Sequence, residues 1–143
     1  MFVFKKMYAG LIAVGLLLTA CGGQTAAKVE NVTITLTEFG VKSSVTDFKV
    51  GIPYRFNVTN NGSIAHEIML MPPLTEDAIG MGMDTGALDE MALAMIEADE
   101  LTPGATKSFD YTFNETAPAG TLEFACHIPG HYEAGMNLPI TVK

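Results

Sequence analysis

Apolar and polar residues alternate along most of this chain, and that period of two narrows its fold more than any other feature. Val32, Ile34 and Leu36 alternate with Thr33, Thr35 and Thr37. Tyr54, Phe56 and Val58 alternate with Arg55, Asn57 and Thr59, and Phe109, Tyr111 and Phe113 repeat the pattern after a Pro103-Gly104 turn. Successive side chains of a strand point to opposite faces, so each of these segments carries one apolar face that must be covered. Leu122, Phe124 and Cys126 share a face of a further strand, and Leu138, Ile140 and Val142 close the chain. Val45, Phe48 and Val50 mark a weaker strand. Ile64 to Met71 form another, stopped by Pro72-Pro73, and Asn60-Asn61-Gly62-Ser63 is a turn cluster. Seven or more short strands with this punctuation predict an all-β sandwich.

Residues 74–101 break the pattern. They are rich in Ala, Met, Asp and Glu, and Leu88, Met91, Ala92 and Met95 recur at helical spacing. Asp89 and Glu90 would fall in a first turn, where the helix dipole favours them. An amphipathic helix is expected around residues 86–99, inserted between strands and lying on the sandwich.

The N-terminus is a separate matter. Lys5 and Lys6 precede a short apolar run, Leu11 to Leu18, and Leu18-Thr19-Ala20-Cys21 follows. Residues 1–20 have the features of a secretory signal, too short and wrongly flanked to span a membrane as a helix. The end of that segment resembles a bacterial lipobox, in which Cys21 becomes the lipidated first residue and anchors the protein to a membrane surface. The alternative is an ordinary secretory signal with Cys21 incidental to the cut. Residues 21–28 are small and polar and read as a lipidated tether, leaving 29–143 as one domain. The whole chain has 8 basic and 16 acidic residues, a formal charge of −8. Without Lys5 and Lys6, six basic residues remain against sixteen acidic ones, a balance of −10. Such a chain repels nucleic acid, and a partner that docks through charge should be basic or should meet a locally neutral patch.

The residues that carry chemistry are few. Phe-Ala-Cys-His-Ile-Pro-Gly-His-Tyr-Glu-Ala-Gly-Met occupies 124–136 and sets Cys126, His131 and Met136 at Cys-x4-His-x4-Met spacing, with His66 far upstream. Two imidazoles and one thiolate in a trigonal plane, with a weak axial thioether, are the ligand set of an electron-transfer copper site. The thiolate suits Cu(I) and the imidazoles suit Cu(II), so a single ion can cycle with little rearrangement. Only two cysteines exist in a chain bound for an oxidising compartment. With Cys21 lipidated, Cys126 has no disulfide partner and is exposed to oxidation unless a metal protects it. Each residue has a plainer reading by itself: a buried Cys as a small hydrophobe, a His as a surface or core hydrogen-bonder, a Met as core filler. The spacing after a strand end is what sets them apart. Pro129-Gly130 turns the chain before His131, and Gly135 permits close backbone approach at Met136.

With His66 upstream, the set Cys126, His131 and Met136 resembles the type 1 copper site of the cupredoxins, including auracyanin-like, plastocyanin-like and azurin-like proteins. The resemblance covers about residues 29–143. It implies a Greek-key sandwich, one mononuclear copper per chain held by His66, Cys126, His131 and Met136, and one-electron transfer between redox partner proteins by a monomer on the outer side of a bacterial membrane. It also implies electron entry at the exposed edge of His131, with Ile128, Pro129 and the Pro72-Pro73 corner as candidates for an apolar docking rim. Many cupredoxins carry Asn after the upstream His. Here the residue is Glu67, which cannot donate a side-chain hydrogen bond when ionised, although backbone N–H groups near Cys126 could still serve. A copper carrier or delivery protein using the same ligands is the main rival. An enzyme with additional catalytic copper would need more than the three histidines present. A structural zinc site would use four strong ligands rather than a thioether.

His127 follows Cys126 and would point to the opposite face of the strand, as a surface residue or a support to the site. Met69, Met71, Met81, Met83, Met91 and Met95 could line a Cu(I) site, but the strand spacing of Met69 and Met71 and the helix spacing of Met91 and Met95 read first as packing; Met81-Gly82-Met83 is the least explained pair, and a partner-docking surface is the better functional reading of the insertion. Four Asn-x-Ser/Thr sequons, at Asn31, Asn57, Asn61 and Asn114, fall where Thr-rich strands and Asn turns are expected anyway.

Overall fold

Val32, Ile34 and Leu36 are at most 1 % exposed, and the threonines between them lie on the wetter face. The period of two therefore converts directly into one buried sheet surface. The computed structural model describes residues 28–75 and 85–143. In chain order the elements are β1 (Glu30–Thr37), β2 (Gly40–Ser43), β3 (Asp47–Phe48), β4 (Pro53–Asn60), β5 (Ile68–Met71), α1 (Thr85–Met91), β6 (Ala94–Ile96), β7 (Thr106–Thr112), β8 (Ala117–Ala125) and β9 (Asn137–Val142). They form the expected all-β sandwich: a four-stranded sheet in the order β2-β1-β4-β7 faces a five-stranded sheet in the order β3-β9-β8-β5-β6. β1 and β4 run parallel, as do β3 and β9, and the other pairs are antiparallel.

The core lies between the sheets. Phe48, Phe56 and Phe124 are fully buried in it, with Tyr54 and Phe113 beside them. Phe56 stacks on Phe109, and Phe48 meets Tyr54 edge-on at 5.0 Å between centroids. Each such ring contributes roughly 1.5–3 kcal/mol by leaving water. The Arg55–Asp110 pair on the outside has two contacts of 2.7 Å, yet both side chains are about half exposed. Solvent screens a pair of that kind and leaves it little net effect, so the aromatic core decides stability.

Four differences from the pattern-based expectation bear on the site. β2, a short hairpin partner of β1, carried too little alternation to be seen, and the weak strand at 45–50 contracts to two residues. The strand expected from Ile64 starts only at Ile68, because the His66 N–H bonds the Leu101 carbonyl at 3.2 Å rather than a neighbouring strand. His66 therefore sits on a loop. The inserted helix exists but stops at Met91. Residues Ala94–Ile96, expected as its second half, instead pair with β5 in the register Ile68↔Ile96 and Leu70↔Ala94. A short run such as Ala-Met-Ile satisfies either period, and the open edge of β5 offered backbone partners that a helix would have left unpaired. β5 consequently lies inside its sheet, not on an edge. Finally, the helix covers the outer face of that sheet. Met69 and Met71 are buried there under Leu88, with Met95 partly buried beside them, so packing accounts for these three methionines. Met91 is 37 % exposed. Met81 and Met83 lie outside the described residues, as do the signal segment and Cys21.

Candidate metal centre

Two loops at one end of the sandwich supply the candidate ligands. His66 comes from the β4–β5 connection, and Cys126 is the residue after β8. His131 comes from the loop that returns to β9. One reactive atom from each of His66, Cys126 and His131 lies within 4.8 Å of the others, and this is the cluster of metal-capable residues among the described ones. The Nδ1 atoms of His66 and His131 face each other at 3.3 Å, and Cys126 Sγ stands 3.4 Å from His131 Nδ1. His66 and Cys126 are completely buried, and Cys126 is a free thiol.

Met136 is also buried, and its backbone is tied to both loop ligands. Its carbonyl accepts the Cys126 N–H and its N–H donates to the His131 carbonyl, each at 3.0 Å. The intervening loop folds as expected from its punctuation. His131 N–H closes a turn on the Ile128 carbonyl at 2.9 Å, and Gly130 and Gly135 take φ of +86° and +99°, a region open to glycine at little cost.

The donor set fits copper. Two borderline nitrogens and one soft sulfur, desolvated together, match its preferences, whereas the cluster contains no carboxylate of the kind that would complete a closed zinc site. Without a cation the thiol stays protonated: burial pushes Cys126 up to about 11, despite hydrogen bonds to the sulfur from the backbone N–H groups of Glu67 and Ile128. Burial and the neighbouring His131 lower the pKa of His66, a direction that favours the neutral imidazole a metal needs.

Glu67 joins the two ligand segments, though by a different bond than an amide would use. Its Oε1 accepts the His127 N–H at 2.9 Å, while its own N–H serves the Cys126 sulfur. Burial raises its pKa, partly offset by the His127 bond. His127 stands outside the triad. Its ring stacks on Tyr132 with centroids 4.6 Å apart, and its Nε2 is buried with no hydrogen-bond partner among the described residues. Tyr132, in turn, donates its hydroxyl to Glu123 at 2.7 Å, and burial with that carboxylate pushes it up to about 12.

Sequence reasoning missed two residues that build the His66 loop. Asn60 is fully buried. Its Nδ2 donates to the carbonyls of Ile64 and Leu101 at 2.8 Å each, and its Oδ1 accepts the Gly62 N–H at 2.8 Å. The signal was present, since Asn60 continues the inward series Tyr54, Phe56, Val58. Glu38, at the β1–β2 tip, accepts the Ser63 N–H, and this bond holds its carboxyl at about 2. One expected rim element is misplaced. Pro72 follows Met71 at the end of β5 remote from His66 and lines a groove with Tyr111, Phe113 and Leu122, because β5 runs away from the triad. Ile128 and Pro129 do lie in the ligand loop.

The comparisons with known proteins agree with this geometry. The profile of the copper binding proteins of the plastocyanin/azurin family matches residues 31–143. A copper-resistant cuproprotein, CopI, of Pseudomonas aeruginosa is 27 % identical over an alignment spanning 100 % of this chain and 99 % of that protein. A CopI of Rubrivivax gelatinosus is 34 % identical over 65 % of this chain, but the match spans only 53 % of that relative. The crystal structure of reduced auracyanin from Roseiflexus castenholzii superposes with a TM-score of 0.56 at 21 % identity, covering 82 % of this chain and 99 % of that one. An azurin from Methylomonas sp. strain J gives 0.55 at 15 %, over 80 % and 98 %. At these identities the two structures speak for the shared fold.

Proposed function

Because the chain belongs to the plastocyanin/azurin family of copper-binding proteins, we propose that it is a one-electron carrier whose single copper would be held by His66, Cys126, His131 and Met136. The meeting of two imidazole Nδ1 atoms with a buried, unpaired thiol carries this reading. Bound there, copper would supply a one-electron couple. The chain's own part is to keep the donors in place. The His66 loop is pinned by Asn60 and Leu101, and the Cys126–Met136 loop by its turns and by Glu67. Donors fixed in this way need not rearrange when charge changes.

The loops around the triad carry Glu38, Glu67, Glu97, Asp99, Glu100 and Glu133, of which Glu100 is paired with Lys107 at 3.2 Å. Lys28, Lys49 and Lys143 lie at the opposite end. That asymmetry supports docking through the metal end to a basic protein partner, with His131, Ile128 and Pro129 at the contact. The protein acts as a carrier and not as an enzyme in this reading, since the sequence holds three histidines and two are already committed. We place it outside the cytoplasm, tethered to the membrane through lipid on Cys21.

A copper-handling role with the same ligands is the second reading, favoured by the copper-resistance names of the two relatives. An absorption spectrum after addition of Cu(II) tests the centre. An intense band at about 600 nm, from thiolate-to-copper charge transfer, is expected. A colourless, oxidant-stable product would sink both readings. Loss of copper to a Cu(I) chelator within minutes would select the handling role over the carrier.

A further inference from the structure

Tyr132 is the neighbour of His131, yet its side chain reaches back along the outer face of the five-stranded sheet. Its hydroxyl donates to Glu123 Oε1 at 2.7 Å and accepts the backbone N–H of Leu74. Its ring lies nearly parallel to that of His127, at an interplanar angle of 17°. One side chain thus touches β8, the segment after β5, and the residue that follows Cys126. Glu123 is only 3 % exposed, and the Tyr132 hydroxyl is the hydrogen-bond partner of its carboxylate among the described residues. Burying a carboxylate is unfavourable, and an apolar residue of similar volume would pack there more stably. A costly buried group used for one bond to a ligand-loop tyrosine points to positional control rather than to stability.

The loop itself shows what needs control. Between Cys126 and Met136 it contains two positive-φ glycines, Gly130 and Gly135, one on each side of His131 and Tyr132. Its internal bonds are short-range turns. His131 and Tyr132 thus lie between the two glycines, and the Tyr132 hydroxyl bonds this stretch to β8. We propose that Tyr132 is a positioning residue that clamps this loop to the sheet, fixing His131 through the adjoining peptide and Cys126 through the stacked His127. The clamp preforms the copper site before metal arrives and resists release afterwards. This rests on the ligand assignment proposed above, but the metal-free test below does not.

Two variants separate a clamp from a mere structural prop. Tyr132→Phe removes the hydroxyl and leaves the Glu123 carboxylate buried without its partner, so it also lowers global stability. Glu123→Leu removes the acceptor with no stranded charge, and its global stability is expected to equal or exceed that of the parent. In the metal-free full-length protein, both variants should accelerate amide hydrogen exchange over residues 127–135 by roughly tenfold, with β1 and β4 unchanged. In the copper-loaded protein, both should release copper to a chelator about tenfold faster. Loop exchange in Glu123→Leu equal to that of the parent would overturn the clamp. An increase spread evenly over both sheets would do the same, because it reports only global stability. A parent chain that takes up no copper sinks the ligand assignment, and the metal-free exchange still decides the clamp.

Discussion

The carboxylate of Glu67 accepts the backbone N–H of His127 at 2.9 Å, and so bridges the residue after His66 to the residue after Cys126. The two candidate ligands flank strands that pair antiparallel, β5 and β8, and this bond, with that of the Glu67 N–H to the Cys126 sulfur, closes the gap beyond the last strand pair, Met69↔Ala125. An ionised carboxylate cannot donate, so the link has to run from backbone to side chain.

Replacement tests that polarity. Glu67→Gln keeps an acceptor oxygen and should retain both the fold and the copper band. Glu67→Ala leaves a partly buried N–H without its partner and should cost about 1–3 kcal/mol in thermal or denaturant unfolding. Equal stability of the two variants would show that the bond is dispensable.

Asn60 is the stronger structural test. Asn60→Asp keeps the shape and the Oδ1 acceptor but removes both donors, leaving a carboxylate against the carbonyls of Ile64 and Leu101. A loss of roughly 2–4 kcal/mol is expected at neutral pH, measured on the metal-free protein so that copper binding does not mask it. Urea curves that overlay those of the parent would contradict the role assigned to it.

Gly62 makes the sharpest steric prediction. A Cβ built there would stand 2.8 Å from His66 Nε2, 3.1 Å from Asn60 Oδ1 and 3.2 Å from Glu38 Oε1. Gly62→Ala should push the His66 ring and weaken copper binding by about tenfold or more. Competition with a copper chelator reads this directly, and parental affinity would mean that the ring has room to move.

Glu38 makes a prediction about pH. Its folded pKa of about 2 lies below the ordinary value of 4.5, chiefly through the Ser63 N–H bond. Its contribution is therefore complete above the unfolded pKa and is lost as pH falls through the folded one. Stability of the metal-free protein should decline between about pH 4.5 and pH 2 more steeply in the parent than in Glu38→Gln, which keeps an acceptor that does not titrate there. Parallel acid profiles would remove Glu38 from the account.

The proposed ligands give the fifth test. Cys126→Ser should abolish the band at about 600 nm, since no other sulfur can supply that charge transfer. Met136→Leu should keep the colour and raise the reduction potential, read by redox titration. Complete loss of copper on that change would show that the proposed Met136 thioether contributes more than a weak contact.

The sequence was most legible where a single period governs burial. Val32, Ile34, Leu36, Tyr54, Phe56 and Val58 face inward as their alternation requires, and they establish a sandwich before any tertiary contact is considered. Cys126, His131 and Met136 were legible too, because one loop of chemically unusual residues carries all three. Residues 94–96 were not, since three residues cannot distinguish two periods and the open edge of β5 made the choice. Glu38 and Tyr132 escaped for a related reason: each binds a residue 25 or 9 positions away, and nothing local marks the pair.

Composition and pattern alone thus determined an acidic β-sandwich with a thiol, two imidazoles and a thioether suited to copper. Only the folded chain decided that the His66 and His131 Nδ1 atoms meet at 3.3 Å beside the buried sulfur, and which side chains hold them there. Burial patterns repeat every second residue and so are written locally. Convergence depends on which strands become neighbours, a choice made by backbone pairing across the whole sheet.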